Sequence, residues 1–327
     1  MTTPVLDVRD LRITFPTRTG EPARPVDGVS FTLRRGETLA LVGESGCGKT
    51  LTSLALLRLV PEPGRIEPGS RLEFEGRDIM GLDARELRSI RGKHIAMVFQ
   101  DPMSSLNPVF TAGAQIIETI KAHEPESTKA ARARSLALLR EVGISDPELR
   151  INQYPHEMSG GMRQRVMIAM ALATEPEVLI ADEPTTALDV TVQAQILEIL
   201  DRLRESRGLA VLLITHDLGI VANRADRIAV MYAGRVVEEA PTRTLFDAPS
   251  HPYTQGLLES VPRLTGPRRR LRPIPGTVPD PARWPAGCRF HPRCPKVMAR
   301  CRTEVPSRLP LADGHHMACW LAEETPG

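Results

Sequence analysis

The run GESGCGKT at residues 43–50, three glycines closing on a lysine and a threonine, constrains this chain more than any other feature. It ends an apolar run, GETLALVG, and opens onto TLTSLALLRLV, whose apolar residues recur at helical spacing. Strand, glycine-rich loop and helix in that order make a phosphate cradle. The glycines let successive backbone N–H groups close around phosphate oxygens at the positive end of the helix. The loop comprises Gly43, Glu44, Ser45, Gly46, Cys47, Gly48, Lys49 and Thr50. Lys49 brings a compact charge to the terminal phosphates and Thr50 a hydroxyl to Mg²⁺. Cys47 fills a free position as a small loop residue.

The surroundings read as an α/β fold. VLDVRDLRITF and VSFTLRRGETLALVG predict strands in the first 43 residues, and RLEFEGRDI and HIAMVFQ two more. Between residues 111 and about 152 the pattern turns helical, in AGAQIIETIKAH and STKAARARSLALLREVG. Strands return in EVLIADEPT, LAVLLITHD and RIAVMYAGRVVEEA, with a helix from about residue 192 to 207 between the first two. Strands alternating with helices imply a parallel sheet covered on both faces. After residue 240 prolines crowd in, 14 of the chain's 29 falling between residues 241 and 310, which excludes long helices and central strands there. The expected division is a nucleotide-binding domain over 1–240, with a helical subdomain at about 101–175, and a C-terminal region over 241–327.

Composition narrows the function classes. With 41% hydrophobic and 25% charged residues the chain reads as globular, and with 4% aromatics its core must be aliphatic. A net charge of +2 is too small to argue for nucleic acid or an anionic membrane surface as partner. No apolar run reaches the roughly 18 residues of a membrane span, and the first residues carry no secretory pattern. A cytosolic protein is expected, so that work at a membrane requires docking onto another subunit.

Downstream of the loop, VLIADE at residues 178–183 is an apolar strand ending in two carboxylates. Such a strand end can place Asp182 near Mg²⁺ and Glu183 near an attacking water. MSGGMRQ at residues 158–164 precedes another helical pattern. With these segments the sequence resembles the ATP-binding-cassette (ABC) ATPases, whose signature LSGGQ is matched at Ser159, Gly160 and Gly161 and altered at Met158 and Met162. The resemblance implies a P-loop fold that binds ATP and Mg²⁺ and hydrolyses ATP. It assigns Gln100, in VFQDP, to Mg²⁺ and the attacking water, together with Thr50 and Asp182. His216 is assigned to the γ-phosphate, Asp189 to the loop at 187–189, and Phe15 to stacking on adenine. Ser159, Gly160, Gly161 and Met162 would serve the ATP held by a neighbouring subunit. Met162 lacks the polar contact of the usual glutamine.

Three further segments, FQDPMSSLNP (99–108), HPYTQGLLESVP (251–262) and PAGCRFHPRCP (285–295), resemble oligopeptide and dipeptide importer ATPases, and PIPGTVP (273–279) leans to the D-type subunit. The resemblance implies an F-type ATPase partner, two transmembrane permease subunits, an external substrate-binding protein and a place on the cytoplasmic face of the membrane. Close relatives also serve nickel chelates and glutathione. The rival classes are an ABC ATPase acting on nucleic acid or the ribosome, which usually carries two cassettes or a coiled-coil insertion, and a metal-sensing or assembly ATPase.

Four of the five cysteines, Cys288, Cys294, Cys301 and Cys319, cluster near the end, with gaps of five, six and seventeen residues. In a cytosolic chain this points to a metal rather than to disulfides. Zinc sites favour close C-x-x-C pairs, and Cys294 is followed by Pro295 as some cluster-ligating cysteines are. The family resemblance adds a [4Fe-4S] cluster. Zinc and free thiols are the alternatives, with His291, His315 and His316 as further candidate ligands. PRRRLR at residues 267–272 reads as a solvated face or linker.

Overall fold

The computed structural model describes residues 3–18, 20–186, 188–260, 273–312 and 314–323. The segment 267–272 and residue 187 lie outside them. Two compact units divide the chain: Met1–Val5, Leu33–Glu37 and Gly81–Leu213 form one, and Leu6–Thr32, Thr38–Met80 and Ile214–Gly327 the other.

The second unit holds the phosphate loop. Its long strand Leu6–Phe15 pairs antiparallel with Arg71–Phe74, Leu6 facing Phe74 and Arg9 facing Arg71. In the neighbouring strand Ala23–Leu33, the buried Val29 and Phe31 alternate with less buried polar residues, the period-two pattern of a sheet covered on one face. Thr38–Val42 is buried throughout and runs parallel to Arg227–Tyr232, with Val42 opposite Val230. Continuous aliphatic burial is what a parallel strand covered on both faces requires.

The segment RIAVMYAGRVVEEA is not one strand. Ala233 and Gly234 both take positive φ (48° and 81°), so Arg227–Tyr232 folds back onto Arg235–Pro241 in a two-residue hairpin. The proline-rich end then adds two short strands. His315–Met317 pairs with Arg235–Pro241, and Leu309–Ala312, carrying Pro310, is outermost, where a missing N–H costs least. The helices here are short, Thr242–Asp247 and Pro252–Glu259, as the proline density predicts.

The end of the chain shares the core of this unit. Phe290 packs against Tyr232 and Tyr253, with ring centroids 5.1 and 5.4 Å away, beside Val42 and Val230. Polar anchors add to this packing. Trp284 Nε1 donates to the Arg24 carbonyl (2.9 Å), and Arg308 donates to the Ser30 carbonyl (3.0 Å) and Glu239 (2.7 Å). Asp27 accepts from Arg289 and from Arg235 (2.7 Å); burial is the largest influence and opposes its ionisation, but the Arg235 bond and the charges of Arg235, Arg289 and Arg12 together outweigh it and hold its pKa down.

In the other unit Ile95–Val98 and Val178–Asp182 run parallel, Val98 opposite Ala181. The predicted helical stretch is present as Ala112–His123, Thr128–Glu141, Pro147–Arg150 and Gly160–Ala171. Three of the four begin at a capping side chain. Thr111, Ser127 and Ser159 accept the backbone N–H of Ala114, Ala130 and Met162, a contact worth about 1 kcal/mol each. The helix predicted from about 192 starts at Val190, because Asp189 caps it through the Val192 N–H (3.0 Å), and it ends at Gly208 in the left-handed region. Among the described residues no helix is long and apolar enough to cross a membrane.

Candidate nucleotide-binding site

The phosphate loop is shaped by close approach at both ends. A Cβ on Gly43 would stand 2.2 Å from the Met231 carbonyl oxygen, and one on Gly48, whose φ is 106°, 2.5 Å from that of Pro25. Only glycine fits either place. Helix Lys49–Leu56 starts directly after Gly48. Lys49 is buried, and its Nζ donates to the carbonyls of Gly43 (2.8 Å) and Glu44 (3.1 Å), which folds the loop over its own lysine. Thr50 is exposed in the first helical turn. Cys47 is fully buried, and burial pushes its thiol pKa up, so it stays a neutral packing residue.

Two other expected residues share this unit. Phe15 ends its strand half-buried, its ring so close to Gly64 that a Cβ there would stand 2.4 Å from it. His216 is exposed immediately after strand Ala210–Thr215.

The carboxylates lie in the other unit. Asp182 ends its strand with 1% exposure. Glu183 turns the chain with a φ of 46°, a region a residue with a Cβ adopts only under strain. Its Oε2 accepts from Gln100 Nε2 (3.2 Å) and Thr186 Oγ1 (2.9 Å). The structure thus brings together Gln100 and Glu183, 83 positions apart. Thr186, which the sequence reading missed, holds the same oxygen; its one signal was its place three residues after Glu183. The hydroxyl of Thr50 and the carboxylate of Asp182 are oxygen donors of the kind Mg²⁺ takes.

Ser159 caps helix Gly160–Ala171, which leaves the first N–H groups of that helix facing outward with exposed Gly160 and half-buried Gly161. Gly161 is also needed for packing: a Cβ there would meet Val192 Cγ1 at 2.6 Å. Met162 is half-buried in the first turn.

HPYTQGLLESVP supplies a residue to the phosphate loop. His251 caps helix Pro252–Glu259, its Nδ1 accepting the Tyr253 N–H (3.0 Å), and Pro252 takes the first helical position. Burial lowers the His251 pKa to about 3, so the ring stays neutral. Tyr253 Oη accepts the Glu44 N–H at 3.0 Å.

The expected metal centre is not formed as a ligand set. Cys288, Cys294, Cys301 and Cys319 are all free thiols, and among the described residues no three His, Cys, Asp or Glu side chains stand as a group able to hold an ion. Burial, with smaller contributions from neighbouring cysteines, raises the Cys288, Cys294 and Cys319 thiols, Cys319 to about 11. Two of the three candidate histidines already have partners. His315 Nε2 bonds Glu238 (2.8 Å), and His291 Nδ1 lies 2.9 Å from the Cys288 carbonyl oxygen.

Comparison with known proteins fixes the family. A "probable peptide ABC transporter ATP-binding protein" of Sinorhizobium fredii is 51% identical over 98% of this chain and 96% of that protein. The chain belongs to the ABC transporter family. The family model for ABC transporters matches residues 26–186 of this ABC protein, and the model described as the oligopeptide/dipeptide transporter C-terminal region matches residues 237–301. The dipeptide transport ATP-binding proteins DppD of Bacillus subtilis (50% identical, 98% of this chain and 95% of that one) and Escherichia coli (48%, 96% and 96%) are further relatives. A dimeric cassette solved in a post-hydrolysis state with ADP and phosphate is 28% identical to the ABC protein, at a TM-score of 0.64 over 73% of this chain and 99% of that one.

Proposed function

We propose that this chain is the ATP-hydrolysing subunit of an ABC importer of di- and oligopeptides, with residues 1–240 as the nucleotide-binding domain, 101–175 as its helical subdomain and 241–327 as the peptide-importer C-terminal region. One observation carries this reading: the phosphate loop and the ABC match occur in the same chain as the C-terminal match over residues 237–301. The similarity to dipeptide and oligopeptide transport ATP-binding proteins favours it over an ATPase acting on nucleic acid.

In this reading two ATPase subunits, this one and an F-type partner, face head to tail. Lys49 and the loop N–H groups hold the phosphates of one ATP, and Ser159, Gly160 and Gly161 serve the ATP of the partner. Thr50, Asp182 and Gln100 would hold Mg²⁺, whose charge offsets that of the phosphates. Glu183, oriented by Gln100 and Thr186, takes the proton of the attacking water. His216 meets the γ-phosphate, Phe15 the adenine, and Asp189 the subunit boundary. ATP favours the closed dimer because only that state offers its γ-phosphate both halves of a site, and hydrolysis reopens it.

Two permease subunits would convert this cycle into alternating access at the cytoplasmic face of the membrane, fed by an external binding protein. Exposed Phe99, Met103, Val109 and Phe110, at 36%, 48%, 69% and 49%, give residues 99–110 an apolar surface suited to such a partner. ATP-dependent uptake of labelled peptide by vesicles holding the whole assembly tests the proposal.

A finer reading concerns the cysteines. Four thiols in 32 residues form a soft donor set for a [4Fe-4S] cluster or, alternatively, zinc, and the Cys288 N–H bond to the Cys301 carbonyl (2.9 Å) joins the backbones of two of them. Anaerobic purification followed by metal and sulfide analysis should give about four irons per chain, reduced in Cys294→Ser. One zinc without iron would replace the cluster by a zinc staple. No metal, with four alkylatable thiols, would defeat both.

A further inference from the structure

We propose that Tyr253 and Arg293, both from the C-terminal region, are positioning residues that set the shape of the phosphate loop and with it the affinity for ATP. The proposal rests on the reading of residues 43–50 as an ATP site.

Glu44 is the second residue of the loop, and two residues from far along the chain grip it. Its N–H donates to Tyr253 Oη (3.0 Å), and its carboxylate accepts from both Arg293 Nη1 (2.7 Å) and Nη2 (3.0 Å). A bidentate guanidinium–carboxylate pair fixes orientation as well as distance.

Both gripping groups are immobilised. The Arg293 side chain is 4% exposed, against 31% for Glu44, and its Nε donates to the Pro275 carbonyl at 2.8 Å. Tyr253 is fully buried, its ring centroid 4.6 Å from that of Tyr232. Gly43 and Gly48 pass so close to the backbone oxygens of Met231 and Pro25 that no Cβ fits, whereas Ser45 and Gly46 are exposed. Glu44 is therefore where the exposed arm of the loop is tied to the body of the unit. An arm released there would sample shapes that do not fit the phosphates, and ATP would have to select the fitting one. Arg293 immediately precedes Cys294, so order in the cysteine segment reaches the loop through this guanidinium.

Steady-state ATP turnover by the complete transporter tests the proposal. Arg293→Met, which removes both bonds to the Glu44 carboxylate, should raise KM for ATP at least about tenfold, the worth of a single hydrogen bond to a charged partner. Tyr253→Phe, which deletes only the hydroxyl, should raise it about threefold, near the lower end for a neutral bond. Both effects should fall on KM rather than kcat, and Arg293→Lys should recover part of the loss. The double variant Arg293→Met, Glu44→Gln should be no worse than Arg293→Met alone, because both remove one interaction. If Arg293→Met does not fold, Tyr253→Phe and Arg293→Lys, which preserve the packing, carry the test. A wild-type KM in folded variants, or additive losses in the double variant, would overturn the positioning role while leaving the ATP site standing. A wild-type transporter with no saturable ATP turnover would sink the ATP reading, and this proposal with it.

Discussion

Glu183→Gln should keep ATP binding and lose turnover by about 10²–10⁴-fold, the usual contribution of a positioned general base. The amide has the same shape and still offers an oxygen to Gln100 Nε2 and Thr186 Oγ1, the two donors that meet the carboxylate at 3.2 and 2.9 Å. What it cannot do is take a proton. Single-turnover hydrolysis and nucleotide binding, measured on the same complex, separate the two effects. ATP should remain bound and hold the paired subunits together. Near-normal hydrolysis would remove Glu183 from the role of base.

Lys49→Ala should weaken ATP binding by at least about tenfold and abolish productive turnover. A hydrogen bond to a charged partner is worth about 1.5–3 kcal/mol, and in the proposed role Lys49 would supply such bonds to two phosphates. The variant loses more than charge. Lys49 Nζ also ties the carbonyls of Gly43 and Glu44 at 2.8 and 3.1 Å, so the loop loses its internal strut. Arginine should not substitute, because its planar fork does not fit a buried position shaped around a compact ammonium. Titration with a fluorescent ATP analogue reads the affinity directly. Unchanged affinity and turnover would show that the loop is not a phosphate site.

Much of this was legible in the sequence because it is local. The strand, glycine loop and helix around residues 43–50 follow from apolar runs and glycine placement, whereas capping by Ser159 and Asp189, although local, emerged only from the structure. Much of what escaped was long-range. Arg293 lies 249 positions from Glu44 and Tyr253 209 positions from it, and no local pattern links residues so far apart. HPYTQGLLESVP stood out as a family mark, but its chemistry, a capping His251, a helix-starting Pro252 and a Tyr253 reaching the phosphate loop, emerged only from packing. Ala233–Gly234 hid a hairpin inside an apolar run because alanine is not a usual residue for positive φ. At the cysteines the sequence displays the donors, while the side-chain placement does not assemble them into a ligand group.

The most direct test of the central claim is peptide uptake by proteoliposomes containing this chain, its ATPase partner and both permease subunits, with binding protein and labelled peptide outside and ATP inside. Peptide should accumulate against its gradient only with hydrolysable ATP, and Glu183→Gln in this chain should stop it. Uptake that proceeds without ATP, or that is indifferent to Lys49 and Glu183, would contradict the assignment of this chain as the ATP-driven engine of a peptide importer.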